Sequence, residues 1–294
     1  MNTGARTRTR ILSFGIGLAL AALAACGGGS AAAKVEDELG LSPEGIIARQ
    51  TKIESAIRDC MKAQGFDYVP VDPVAQRNSL TGQTGLNEGE FEKTYGYGIT
   101  TLYEQRLSIA ADPNTAIKNR LSATDQVSYS KALSGEFSDA TFAVAADTGD
   151  YSKLGGCTRQ ATEAAFGGAD LLTTIVAKLD ELDQRVVTDR RMQQAIAKWS
   201  DCMRAAGYDL PEPEQVDVVL GKRLDAIAGP ANDRHKDYDK AALTALQRDE
   251  VAMVASDKQC ETKHITKVED AVRAEYEKAF REQNAALLGK VTKP

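Results

Sequence analysis

The stretch Trp199-Ser200-Asp201-Cys202-Met203-Arg204-Ala205-Ala206-Gly207-Tyr208-Asp209-Leu210 occurs twice in the chain. Its other copy is Ile57-Arg58-Asp59-Cys60-Met61-Lys62-Ala63-Gln64-Gly65-Phe66-Asp67-Tyr68. Both read Asp-Cys-Met-basic-Ala-x-Gly-aromatic-Asp, and a proline follows in each, Pro70 and Pro211. Agreement at this many positions marks a duplicated module. The phrase reads as the end of a helix. Cys and Met lie on its apolar face, and Lys62 or Arg204 suits the negative end of the helix dipole. Gly65 or Gly207 is the expected left-handed cap, the next aromatic packs back, and the proline stops the helix from resuming. Structure accounts for every residue of the phrase, so by itself it points to no chemistry.

Upstream of the first copy, Ser42 and Pro43 read as an N-cap and a first-turn proline. Ile46, Ile53, Ile57 and Cys60 follow at helical spacing. Residues 66–90 read as a loop. Shorter helices are expected over 90–110 and over 122–134, the latter opened by Ser122 with Asp125 three residues on. Residues 135–153 fit no single pattern. A helix from Gly156 to Phe166 carries Cys157 and breaks at Gly167-Gly168. From Ala169 to Ala206 the apolar stripe Leu172, Ile175, Leu179, Leu182, Val186, Ile196, Trp199, Cys202 predicts one long helix, bent near Thr188. A short helix over 213–228 ends at Gly229-Pro230. The last helix is expected over 237–288, with Leu243, Leu246, Val254, Cys260, Ile265, Val268, Val272, Tyr276 and Phe280 as its buried face.

Two long amphipathic helices leave apolar stripes wet unless they pair. The reading is an antiparallel hairpin with Cys202 opposite Cys260, which brings Val186 near Tyr276 and Leu182 near Phe280. Four cysteines, Cys60, Cys157, Cys202 and Cys260, allow three pairings. Joining Cys60 to Cys157 and Cys202 to Cys260 treats both copies alike and closes the shorter loops. The fold class expected is all-α: two disulfide-stapled helical modules, 42–168 and 169–294, the second built on a long antiparallel hairpin.

The fifth cysteine has a different setting. Arg6, Arg8 and Arg10 precede fifteen uncharged residues, Ile11 to Ala25, which end Leu23-Ala24-Ala25-Cys26. The run is shorter than the ~20 residues of a membrane-spanning helix and fits a signal segment. Its end resembles the bacterial lipobox, in which the cysteine is lipidated and becomes the first residue. On this reading 1–25 is a lipoprotein signal peptide, Cys26 is the lipidation site, and 26–41 is a flexible tether begun by Gly27-Gly28-Gly29-Ser30. Removing 1–25 takes three arginines and no acid, carrying the net charge from -6 to -9. An exported setting also permits disulfides.

The chain resembles a group of uncharacterised actinobacterial lipoproteins and secreted proteins. They share the Cys-Met-x-x-x-Gly-aromatic phrase. They also share a Tyr-x-x-Ala-Leu-x-Gly phrase ahead of a Gly-Cys helix, here Tyr129 to Gly135 and Gly156-Cys157. The resemblance implies an envelope setting, with an export-type transporter or its adaptor as a partner. It implies no activity.

Composition excludes some functions. A net charge of -6 lacks the basic footprint of a nucleic-acid binder, and two histidines leave little for His-based metal or triad chemistry. Asn232, Asp233, His235, Asp237 and Asp239 form a polar cluster with oxygen donors for calcium, but the spacing is not that of an EF-hand. A solvated loop with an Asp N-cap explains it better. Cys260, His264 and Asp257 stand at one-turn spacing, yet a zinc site needs Cys260 unbridged. No metal or cofactor is expected. Acid pairs such as Asp180-Glu181 and Asp249-Glu250 read as solvated helix faces. Nucleophile-elbow, P-loop, His-Glu-x-x-His and Cys-x-x-Cys signatures are lacking.

Six of seventeen aromatics fall between Phe66 and Tyr103. Tyr95, Tyr97 and Tyr103 are therefore the candidate ligand-binding residues, set against the alternative that aromatics fill the core of the first module. The expected function is non-enzymatic: a membrane-anchored extracytoplasmic lipoprotein that contacts another envelope component. The alternative is a small-ligand binding or sensing lipoprotein that uses the aromatic-rich segment.

Overall fold

A computed structural model of the chain describes residues 34–73, 86, 88–104, 113–136, 141–142, 145, 148–230 and 237–291. The signal segment, Cys26 and the Asn232–His235 half of the polar cluster lie outside the described residues. So do parts of the expected helix 90–110 and of 135–153.

Among the described residues the regular structure is helical throughout. In chain order the helices are α1 (Val35–Glu38), α2 (Pro43–Ala63), α3 (Glu88–Tyr95), α4 (Pro113–Asn119), α5 (Ala123–Ser134) and α6 (Gly156–Phe166). They continue as α7 (Ala169–Thr188), α8 (Arg190–Ala205), α9 (Gln215–Ala228), α10 (Lys240–His264) and α11 (Thr266–Leu288). The fold is all-α. None of these helices is long and apolar enough to cross a membrane.

The duplicated phrase ends α2 and α8 in the same way. Phe66 N–H donates to Met61 C=O and Gly65 N–H to Lys62 C=O, each at 3.0 Å. Tyr208 N–H donates to Met203 C=O at 2.9 Å and Gly207 N–H to Arg204 C=O at 3.0 Å. These are Schellman motifs, and Gly65 (φ +83°) and Gly207 (φ +97°) hold the left-handed position that a Cβ would strain. Met61 and Met203 are both fully buried, as the apolar-face reading requires.

Two cores form. In the first, Ile53, Ile57 and Met61 of α2 meet Tyr129 of α5, Cys157, Ala161 and Phe166 of α6, and Ala169 and Leu172 of α7. The Cys60–Cys157 disulfide staples α2 to α6. In the second, α7 and α8 run antiparallel to α10 and α11, with α9 against α10. The Cys202–Cys260 disulfide staples α8 to α10. The Arg185 guanidinium sits 4.6 Å over the Tyr276 ring, which is the expected register beside Val186.

The long helices are each interrupted. Asp189 takes extended backbone (ψ 138°), closing α7 and capping α8 by accepting the Arg191 N–H. This is the bend expected near Thr188. A second interruption, at Ile265, was not legible in the stripe. There ψ is -58° and φ -102°, but Ile265 N–H still reaches Glu261 C=O at 2.8 Å, so the helix is distorted rather than stopped.

The division of the chain between the two modules differs from expectation in three places. Residues 34–41 are not tether: Val35 and Leu39 are buried in the second core, and Glu36 and Glu38 pair with Arg273 and Arg281 of α11. Residues 88–104 belong to the second core, not the first, because α3 and its following turn lie on α10. Gly167-Gly168 does not divide the modules, since Ala169 and Leu172 beyond it still fill the first core. Gly167 is instead a left-handed cap for α6, and α7 runs from one core into the other. Apolar spacing shows that a helix has a buried face but not which neighbour covers it.

Candidate functional site

The aromatic segment and α10 meet along a polar seam. Gly96 (φ +61°) and Gly98 (φ +73°) turn the chain after α3. A Cβ on Gly96 would lie 2.7 Å from Cγ of Glu250, so the turn can approach α10 only with glycine there. Glu250 is fully buried. Its carboxylate accepts the N–H groups of Ile99 (2.8 Å), Thr100 (2.8 Å) and Thr101 (3.0 Å), and the Thr100 hydroxyl at 2.6 Å. Gln247 donates to Thr100 C=O at 3.1 Å. Consecutive backbone N–H groups aimed at one anion satisfy a charge that burial alone would make very costly.

Two helical turns along the same face of α10 stands Asp257, also buried. One of its oxygens accepts the Tyr97 hydroxyl at 2.6 Å and the other the Trp199 indole N–H at 2.8 Å. Burial raises the Asp257 carboxyl above its usual range, and the bonds from Tyr97 and Trp199 and the charge of Lys258 act against that rise. Burial, with the Asp257 charge, drives the Tyr97 phenol far up, so it stays a donor.

At the outer end of the seam, the Lys258 ammonium lies 3.2 Å from Glu92 of α3 and 3.4 Å from Glu261 of α10, with the Tyr97 ring 5.1 Å away. Burial works against the Lys258 charge, but Glu261 and Glu92 carry it above its ordinary value. Burial and the neighbouring Asp257 lift Glu261 to about 7.

The three candidate tyrosines thus fall in one segment but not in one cleft. Tyr97 is bonded to Asp257, Tyr103 is buried with its ring edge-on to Tyr238 at 5.3 Å, and Tyr95 lies against Phe91 at 5.3 Å. Core packing, the alternative weighed against a ligand site, accounts for Tyr103 and for the ring of Tyr97. The core is the second one.

Cys260 is disulfide-bonded, so the Cys260–His264–Asp257 zinc arrangement does not form, and Asp257 is committed to Tyr97 and Trp199. Among the described residues no group of three or more His, Cys, Asp or Glu is placed to hold a metal ion. Asp239 is the N-cap of α10, accepting the N–H groups of Ala241 (2.9 Å) and Ala242 (3.0 Å).

Sequence reasoning misplaced Glu250, and it weighed Asp257 only as a zinc ligand, not as the acceptor for Tyr97 and Trp199. Glu250 was read with Asp249 as a solvated pair, but only Asp249 is at the surface, where Arg223 meets it. The signal was there in the spacing: Glu250 follows Leu246 by four and precedes Val254 by four, so it lies on the buried stripe.

A second polar group joins the chain's first described residues to the body. Arg273 is held by Asp183 (2.7 Å) and Glu36 (3.3 Å), and Arg281 by Glu277 (3.0 Å) and Glu38 (3.1 Å). Arg49 of α2, buried beneath, donates to Leu39 C=O at 2.8 Å and to Ala165 C=O, and its guanidinium lies 4.5 Å over the Phe166 ring. Leu39 packs in the second core and Phe166 in the first, so Arg49 ties both together. No family model, no curated protein and no solved structure matches the chain.

Proposed function

We propose that the protein is an extracytoplasmic lipoprotein, anchored through Cys26. In this reading its two-core helical body is a non-enzymatic interaction or accessory module of the cell envelope. One observation carries the reading. The chain has five cysteines, four are joined in two disulfides, and the fifth is Cys26, at the end of the basic, apolar, Leu-Ala-Ala-Cys pattern. Two bridges suit an oxidising compartment, and a lipidated cysteine would be excluded from them. The loose resemblance to actinobacterial lipoproteins points the same way, with an export-type transporter or its adaptor as the partner it suggests.

The small-ligand alternative is the weaker reading, because the Tyr97 hydroxyl and the Tyr103 ring are taken up by the protein's own Asp257 and Tyr238. The test is expression in a bacterial host, membrane fractionation, and mass spectrometry of the peptide that begins at Cys26. A diacylglyceryl thioether on Cys26, with release of the Cys26→Ala variant into the soluble fraction, is the expected result. An unmodified Cys26 in a soluble chain would remove the anchor from the proposal. Cross-linking on membranes, with the same variant as control, then tests for a recurrent envelope partner.

A further inference from the structure

Residues 88–104 lie on α10 as a strap, and its two ends are held by different chemistry. At the inner end, the amides of residues 99–101 grip Glu250, which is buried and shielded from solvent. At the outer end, two carboxylates share one ammonium: Glu92 from the strap and Glu261 from α10 both pair with Lys258, while the buried Asp257, bonded to Tyr97 and Trp199, adds its charge nearby. Lys258 and Glu261 are three residues apart on one helix and can pair without the strap. The Lys258–Glu92 pair is the one that needs it.

We propose that the strap is a pH-sensitive latch, whose outer end loosens from α10 when Glu261 ionises. While Glu261 is neutral, Lys258 belongs to Glu92, and the ammonium pins α3. An ionised Glu261 competes for the same ammonium from the same helix. It also adds a negative charge near Asp257 and Glu92, in a seam whose outer side chains are half-buried, so water screens that charge only in part. The other groups facing Glu261 do not offset this. Glu269 of α11 is a further negative charge, and Tyr97 on the strap is a neutral phenol. Asp217 of α9 faces Asp257 with the same sign. Burial and the Asp257 charge place the Glu261 titration near 7, so the change falls at neutrality. The amides of 99–101 stay closed, because their partner Glu250 takes no part.

Hydrogen exchange on the full chain with both disulfides intact tests this. Exchange would be followed from pH 5.5 to 8.5, with times scaled to the intrinsic exchange rate. Protection of peptides from 88–97 is expected to fall on the order of 10- to 100-fold as pH rises, while amides 99–101 hold theirs. Glu261→Gln should flatten the transition. Glu92→Gln should shrink it, since the strap then has no carboxylate to be displaced from Lys258. Flat protection in the wild type overturns the latch. So does a transition that survives Glu261→Gln, or one of full size in Glu92→Gln.

Discussion

Trp199 of α8 donates its indole N–H to Asp257 of α10 at 2.8 Å, one turn before the disulfide that joins the same two helices. The bond and the bridge join the same two helices, and the buried carboxylate is held at both oxygens once Tyr97 closes on the second. A covalent staple sets the helix spacing at Cys202–Cys260, and the polar seam then recruits a segment from more than a hundred residues upstream.

Trp199→Phe should be costly for a reason beyond lost volume. It leaves one oxygen of a buried carboxylate without its donor, and such a change costs about 2–4 kcal/mol. Urea denaturation of the oxidised protein measures it. A loss under ~0.5 kcal/mol would mean that the indole N–H does not support Asp257.

Glu250→Gln tests the other buried acid. Four donors converge on the carboxylate, and an amide offers one acceptor oxygen in place of two. The expected loss is about 2–4 kcal/mol, with faster exchange at 99–101. Asp249→Asn, one residue earlier, removes the partner of a half-exposed Arg223 and should cost no more than about 1 kcal/mol. Equal losses in the two variants would contradict the assignment of Glu250 as the strap's inner anchor.

The contrast between those adjacent acids shows where sequence reading succeeded and where it stopped. Helix ends were legible because their causes are local: Gly65 and Gly207 as caps, Ser122 opening α5, and an Asp of the polar cluster, which proves to be Asp239, opening α10. The hairpin register was legible because Cys202 and Cys260 tie it to one number. What covers α10 was not legible. The strap meets Glu250, Asp257 and Lys258 across about 150 residues of sequence, and no spacing rule spans that distance. Residues 34–41 are a second case. A Gly-Ser run beside them read as tether, but Val35 and Leu39 are buried.

The Gly-Cys start of α6 has a physical basis that predicts its tolerance. A Cβ on Gly156 would fall 2.2 Å from Ala132 C=O, and its φ is +54°. Backbone meets backbone there, so nothing soft can give. Gly156→Ala should cost more than about 3 kcal/mol or prevent folding. Gly221, inside α9, has nothing within 4 Å of the same added atom, so Gly221→Ala should stabilise by about 0.4–1 kcal/mol. Thermal melts of the two variants check the pair of signs.

Each disulfide closes a long stretch, 97 residues for Cys60–Cys157 and 58 for Cys202–Cys260. Chain entropy makes each worth up to roughly 4–5 kcal/mol. Removing either pair as a double Cys→Ser variant should lower the melting temperature. Only loss of the Cys202–Cys260 pair should also speed exchange in 88–104, because Asp257 sits beside that bridge. Non-reducing peptide mapping must recover both linkages, and a Cys60–Cys202 peptide would contradict the fold.

Stability should fall as pH rises through neutrality. Glu261 is raised from 4.5 to about 7 by burial and by Asp257, so its folded form prefers the proton more than the unfolded chain does. The stability it contributes is complete below 4.5 and is lost as pH climbs through 7. Glu36, raised chiefly by burial, carries the same sign. At most ~3 kcal/mol is at stake for Glu261, less what solvent screening removes. Asp189 has the opposite sign. Hydrogen bonds from Arg191, together with the Tyr276 hydroxyl, hold it well below the usual carboxylate range, so its contribution is lost only as pH falls below 3.8. Melting temperatures should therefore decline from pH 6 to 8.5 in the wild type and decline less in Glu261→Gln. The Asp189→Asn variant should lose stability at pH 6 and keep the wild-type slope above it. An alkaline limb unchanged by Glu261→Gln would assign the loss to another group.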